Sequence, residues 1–325
     1  MIVALVEHRD GRPERLSLEA LAFARRLGGD LAEPVEALLF GPGSRDAAAA
    51  LGVHGVTVAH VVDDRRLDDY APAAWAAALV QRSAGASVVI AAGSERGNEV
   101  MAHVGARTGQ PMAANCIAAQ PGDPFEIVRQ RWAGSLLEEA VLDGSPRLLT
   151  IAPHAVAIDE SGGAPAPRVE AFTPDVLDGD LGVRVLRHEP PAPGSMSLAD
   201  ARVVVGGGRG VGSAESFAIL DELAGLLGGA VGVSRVVTSA GWRPHTMQIG
   251  QTGMRIAPDL YIACGISGAI QHIVGCKAAK RILVINTDPD APIMGKASYA
   301  VIGDLHTVVP AISAEIRRVR GNGRS

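Results

Sequence analysis

The chain is 325 residues long, 47% hydrophobic but only 3% aromatic, and carries a formal net charge of −5 at pH 7. That length predicts two domains, the small aliphatic side chains predict packed α/β layers, and the charge, with a pI near 6.0, speaks against nucleic acid as a partner. No apolar run is long enough to insert into a membrane, and three widely spaced cysteines, Cys116, Cys264 and Cys276, argue against a disulfide framework or zinc cluster and fit a reducing cytoplasm.

Residues 2–6 read as an opening strand rather than the apolar segment of a signal peptide. Strand-like runs at 37–40, 55–61 and 87–91 then alternate with helical runs at 16–27, 45–51, 71–83 and 98–108, the last starting from Ser94 or Asn98. This rhythm predicts a Rossmann-like parallel sheet with helices on both faces. Past Gly109 it changes: 125–130, 135–142 and 147–151 read as shorter strands of a more antiparallel region, with turns at Pro121-Gly122-Asp123-Pro124 and Asp143-Gly144. Residues 160–200 are dense in proline and glycine and read as a linker with one crossing strand at 183–187. The boundary is placed near Pro193, giving domains 1–193 and 194–325.

The second domain restarts the alternation, with strands at 201–205, 230–234, 260–264, 282–286 and 300–302 and helices at 214–227, 267–277 and 306–318. Five strands in this length predict a doubly wound parallel sheet. Its first strand runs into Gly206-Gly207-Gly208-Arg209-Gly210-Val211-Gly212-Ser213, a glycine loop opening a helix, where backbone N–H groups favour a phosphate. The strict nicotinamide fingerprint fails: the third glycine is out of register, and the second strand ends in Val233-Ser234-Arg235 rather than an acidic ribose ligand. Arg209 and Arg235 instead bring two cations to neighbouring strand ends.

Two further loops carry the most information. Gln248-Ile249-Gly250-Gln251-Thr252-Gly253 and Gly265-Ile266-Ser267-Gly268-Ala269-Ile270-Gln271-His272 flank the strand-like Ala257-Pro258-Asp259-Leu260-Tyr261-Ile262-Ala263. Each loop ends in groups able to hydrogen-bond an aromatic heterocycle, so the loop–strand–loop–helix element points to a nucleotide-like cofactor.

Together with Asn286-Thr287-Asp288-Pro289-Asp290-Ala291-Pro292-Ile293 and Asp304-Leu305, these segments closely resemble, in order, the α subunit of electron-transfer flavoproteins. The resemblance covers the second domain nearly end to end. The first domain is compatible through Val6-Glu7-His8 and Ala91-Ala92-Gly93-Ser94, and as an α/β domain it is similar to adenine-nucleotide-hydrolase-like folds. The resemblance implies a heterodimer in which the α subunit holds FAD at a cleft with a β subunit. That β subunit would carry AMP, or a second FAD in the bifurcating branch. It also implies an electron carrier without substrate turnover of its own, taking electrons from flavin dehydrogenases such as the acyl-CoA dehydrogenases of fatty acid β-oxidation. A membrane quinone oxidoreductase or another protein would accept them.

Carried over residue by residue, Arg209 and Ser234 would touch the FAD and Arg235 would sit over its ring. Ile249, Gly250, Gln251 and Thr252 would line the ribityl chain and flavin, with the Thr252 hydroxyl near N5. Ser267, Gly268, Ala269, Ile270 and Gln271 would meet the pyrophosphate, and His272 the pyrimidine carbonyl. Asn286, Asp304 and Leu305 would hold the adenosine end. The physics agrees: an N–H donor and a cation beside the N1–C2=O edge favour negative charge there, most in a dry site, and tenfold differential binding is worth about 59 mV for a one-electron couple. Met254 departs from the family, which often has lysine there, and so does the Val236-Val237-Thr238-Ser239 stretch, where an acidic residue is usual.

Plainer readings attach to other residues. Cys264 and Cys276 read as small core residues. His245 and His306 read as surface or helix-start residues, and His8, His54, His60, His103, His154 and His188 lack ligand spacing, so no metal site is assigned. The terminal run from Arg317 to Arg324 reads as a frayed tail. Two other functions compete: an FAD- or NAD-dependent oxidoreductase acting directly on a small substrate, and a nucleotide-binding regulatory module. The first lacks a nucleophile–base pair, the second a phosphate loop in residues 1–190.

Overall fold

Ile2-Val3-Ala4-Leu5 and Val88-Val89-Ile90-Ala91-Ala92 are buried throughout, as strands covered on both faces must be. The computed structural model describes residues 1–158, 165–187, 197–198 and 201–322, and the chain divides into two units, Met1–Glu189 and Pro190–Ser325. Pro193, where sequence places the boundary, and His188 lie outside the described residues.

The first unit runs β1 (Ile2–Leu5), a short hairpin of β2 (His8–Arg9) and β3 (Arg12–Pro13), α1 (Arg15–Leu31), β4 (Val35–Leu39), α2 (Ser44–Ala49), β5 (Val56–Val62), α3 (Pro72–Arg82), β6 (Val88–Ala92) and α4 (Glu95–Thr108). Ser94 caps α4, its hydroxyl accepting from Gly97 N at 2.8 Å. There follow β7 (Met112–Gln120), β8 (Glu126–Arg131), β9 (Leu136–Val141), β10 (Arg147–Ile151) and β11 (Arg168–Phe172). They form one nine-stranded sheet in the order β11-β5-β4-β1-β6-β10-β7-β8-β9.

Three expectations need correction. β10 is not antiparallel: it lies between β6 and β7, parallel to both, and its Leu148-Leu149-Thr150-Ile151 run is buried as that position demands. The proline-rich stretch contains β11, an edge strand parallel to β5 that sequence reading missed. Residues 183–187 form no strand.

The second unit is an all-parallel, five-stranded sheet in the order β13-β12-β14-β15-β16. Its elements are β12 (Val203–Gly207), α5 (Ala218–Leu227), β13 (Ala230–Val233), α6 (Arg235–Ser239), β14 (Leu260–Cys264), α7 (Ile270–Cys276), β15 (Ile282–Asn286), β16 (Tyr299–Ile302) and α8 (Leu305–Asn322). One face packs Val204, Ile249, Tyr261 and Val284, the other Val205, Phe217, Ile262 and Val309. The C-terminal run is helical to Asn322 rather than frayed from Arg317, and Arg317 pairs with Glu222 at 2.8 Å. From β12 the chain goes outward to β13, then returns across β12 to β14. The connections therefore leave β12 and β14 in opposite directions, and the crevice beyond their carboxyl ends is where such sheets bind ligands.

Candidate cofactor site

A cavity of about 570 Å³ lies at that crevice, within the range of small-molecule sites. The loop after β12 contributes Arg209 and Gly210, and that after β13 contributes Ser234, Arg235, Val236 and Ser239. The 248–252 segment borders it along its length. Opposite stand Gly265 through Ala269, Gln271 and His272, with Asn286, Asp288 and Ala291 from the loop after β15.

Close backbone approach builds these walls. Gly265 has φ +62°, and a Cβ there would sit 2.8 Å from Gly210 Cα. Gly208 N and Gly210 N donate across this contact to the carbonyls of Cys264 and Gly265, both at 3.0 Å. Gly208 and Gly210 therefore spend on the neighbouring strand end N–H groups that the sequence reading offered to a phosphate. Val211 N and Gly212 N are also taken, by Gly208 O and Arg209 O, and α5 begins only at Ala218. Gly206 and Gly207 lie inside β12 and make room for Tyr261 and Phe217, whose rings a Cβ would meet at 2.6 and 2.3 Å.

The two loops that flank β14 are joined directly: Gln251 N donates to the Gln271 carbonyl at 2.8 Å. Gly250, at φ +150°, would place a Cβ 2.9 Å from that same oxygen. On α7, a Cβ at Gly275 would meet Gly250 N at 2.3 Å, so the helix rests on the loop's backbone. Helix α7 starts at Ile270, not at 267, because Gly268 at φ +84° turns the chain before it. No side chain caps its start, so its first N–H groups are open to water or a ligand.

Side chains complete the wall. Gln248 is 2% exposed; its Nε2 donates to Thr252 Oγ1 at 3.0 Å, while its Oε1 accepts from Thr238 Oγ1 at 2.7 Å. Asn286 donates from Nδ2 to the Ile266 carbonyl at 2.9 Å and accepts from Asp288 N at 3.1 Å, tying two bordering loops together. His272 is 6% exposed and its Nε2 lies 2.8 Å from the Tyr261 hydroxyl. Its Nδ1 is buried and has no hydrogen-bond partner among the described residues. Burial pushes the His272 pKa down to about 4, opposed by the Ile249 backbone, so the ring is a neutral imidazole at pH 7. Burial also pushes the thiols of Cys264 and Cys276 up to about 12; they stay protonated, as core residues do.

Of the residues expected at the site, Arg209, Ser234, Arg235, Ile249, Gly250, Gln251, Thr252, Ser267, Gly268, Ala269, Gln271, His272 and Asn286 border the cavity. Three others are placed elsewhere. Ile270 is 74% exposed. Asp304 caps α8, accepting from His306 N at 2.9 Å, and Leu305 is buried in the core with its Cδ2 2.9 Å from where a Gly265 Cβ would fall. Sequence reading assigned no role to Gln248, Thr238, Ser239 or Gly275. A glutamine beside apolar Ile249, at the mouth of a glycine loop, was the available signal for the first.

The donor set suits a long, anionic, partly aromatic ligand: two guanidinium groups, several hydroxyls, an uncapped helix start and one orphaned imidazole nitrogen. Comparison with known proteins agrees. A family model described as "Electron transfer flavoprotein domain" matches residues 2–177, and one described as "Electron transfer flavoprotein FAD-binding domain" matches residues 197–277. The chain is 32% identical to an electron transfer flavoprotein subunit alpha of Thermoanaerobacterium thermosaccharolyticum, covering 97% of each chain. It is 35% identical to the subunit alpha of Mycobacterium tuberculosis over 98% of this chain and 99% of that one. It is also 32% identical to Protein FixB of Clostridium saccharobutylicum over 96% and 95%. The chain belongs to the electron transfer flavoprotein α-subunit family. The FAD-binding match spans the loops after β12, β13 and β14, three of the four loops that border the cavity. No helix among the described residues is long and apolar enough to cross a membrane.

Proposed function

We propose that this chain is the FAD-holding α subunit of a heterodimeric, cytoplasmic electron carrier, with the cavity beyond β12 and β14 as its flavin site. The observation that carries the proposal is the set of donors bordering that cavity, above all the buried His272, whose Nδ1 closes no full hydrogen bond and has only the Ile249 carbonyl beside it. FAD, when bound, supplies the capacity to take up and release electrons, and the protein supplies binding and electrostatics. Arg209 and Arg235, both exposed, offer cations to the phosphates and to negative charge on the ring. Thr252, with its oxygen already accepting from Gln248, keeps its own proton to donate. His272 offers a neutral N–H from a buried ring. Such preorganised donors favour the more negative form of whatever they touch.

In this reading a β subunit completes the flavin cleft and carries AMP or a second FAD. Flavin dehydrogenases, including those of fatty acid β-oxidation, reduce the complex, and a membrane quinone oxidoreductase or another protein accepts its electrons. The test is co-expression with the β partner, followed by flavin quantitation and nucleotide extraction. One FAD with AMP identifies a carrier and two FAD a bifurcating complex. A colourless complex that added FAD cannot reconstitute contradicts the proposal.

A further inference from the structure

Behind the cavity wall, Tyr261 on β14 and His272 on α7 form a buried polar pair. Tyr261 is 0% exposed, and its hydroxyl fits against β12 only because residue 206 is glycine: a Cβ there would lie 2.2 Å from the phenolic oxygen. His272 Nε2, at 2.8 Å, is that hydroxyl's hydrogen-bond partner among the described residues. The nearby thiols of Cys264 and Cys276 stay protonated and are weak acceptors.

A neutral imidazole has one N–H to place. If the proton sits on Nδ1, Tyr261 donates to Nε2 and both groups are satisfied. If it sits on Nε2, that nitrogen donates to the phenol oxygen and the phenolic proton is stranded in the core. Stranding a buried donor disfavours the second arrangement by roughly ten- to a hundredfold. The Ile249 carbonyl faces the ring as an acceptor and favours a proton on it, without closing a hydrogen bond of full geometry to Nδ1, so it supports the same tautomer and competes weakly for that N–H.

We propose that Tyr261 is a positioning residue that locks His272 as its Nδ1–H tautomer, leaving one N–H donor for an acceptor atom of the molecule in the cavity. The proposal rests on the FAD reading above only for the identity of that acceptor. Without Tyr261 the ring could present a lone pair where the ligand needs a donor.

The test uses the full chain with its β partner and ¹⁵N-labelled histidine, FAD-loaded and FAD-stripped, with His272 assigned by its loss in His272→Gln. Nδ1 is expected to be pyrrole-type and Nε2 pyridine-type in both forms. Tyr261→Phe, which removes only the hydroxyl, is expected to mix the tautomers while FAD content holds. It should also shift the flavin midpoint potential negative, by about 59 mV for each tenfold loss of preference for the reduced form. A pyridine-type Nδ1 in the parent protein overturns the proposal even if the variant does not fold, and so does an unchanged tautomer in a folded Tyr261→Phe. The FAD-stripped sample keeps the two readings separable: a complex that cannot take up FAD defeats the functional proposal and still reports the tautomer.

Discussion

The side-chain amide of Gln248 holds the hydroxyl of Thr252 at 3.0 Å across the floor of the loop that connects them. Thr238 secures the other end of that amide at 2.7 Å, so a carboxamide at 2% exposure has both ends engaged. With the amide nitrogen facing Thr252, that hydroxyl is an acceptor toward the protein and a donor toward the cavity. Gln248→Glu should reverse this, because a carboxylate draws the Thr252 proton away from the ligand. The expected loss is about 1 kcal/mol, or roughly fivefold in FAD affinity, read from the fluorescence of released flavin. Thr252→Val should remove the difference between Gln and Glu at 248.

Two glycine substitutions on helices should move stability in opposite directions. Gly275→Ala places a methyl 2.3 Å from Gly250 N and 2.5 Å from its Cα, and backbone cannot yield cheaply. We expect a loss of about 1–3 kcal/mol in denaturant unfolding, with FAD binding impaired. Gly225→Ala on α5 meets nothing within 4 Å and should gain up to about 1 kcal/mol from helix propensity.

The depressed pKa of His272 makes folding pH-dependent. Between about 4 and its ordinary 6.5, the unfolded chain binds a proton that the folded chain refuses. The stabilising contribution is therefore complete above 6.5 and is lost as pH falls toward 4, roughly 3 kcal/mol across the window. Glu7, in the first unit, works with the opposite sign: burial raises its pKa, so its contribution is lost as pH rises through the raised value. Unfolding of the FAD-free protein at pH 7 and pH 5 checks this, and His272→Gln should flatten the acid side of the profile.

Arg209 and Arg235 are exposed cations at the cavity, whereas Arg243 nearby is engaged with Asp221 at 2.6 Å and lies over the Phe217 ring. Arg209→Gln and Arg235→Gln should each weaken FAD binding by about 1 kcal/mol, less at high salt. Arg243→Gln should lower stability and leave affinity near the parent value. Titrations at low and high ionic strength distinguish the two classes.

Much of this was legible in the sequence for identifiable reasons. Long periodic segments such as α1 and α3, and aliphatic runs such as β14 and β15, announce themselves because burial and period agree. That the two loops serve one ligand came from the family resemblance, and the turns at Gly250 and Gly268 are seen only once the loops are folded together. Long-range placement was not legible. Nothing local says that Arg147–Ile151 inserts between β6 and β7, or that a strand within the proline-rich stretch pairs with β5. The glycine run after β12 resembles a phosphate loop, because packing glycines and anion-binding glycines look identical until Gly265 is brought against Gly208 and Gly210. The Tyr261–His272 pair joins residues eleven apart that no helical or strand period connects.

FAD is proposed to occupy the cavity at the β12–β14 crevice. A crystal structure of the yellow complex with the β partner tests it most directly. Flavin bordered by Arg235, Gln251, Thr252 and His272, with a hydrogen bond to His272 Nδ1, is the expected result. Flavin bound elsewhere on this chain, with that crevice filled by protein side chains, would contradict it.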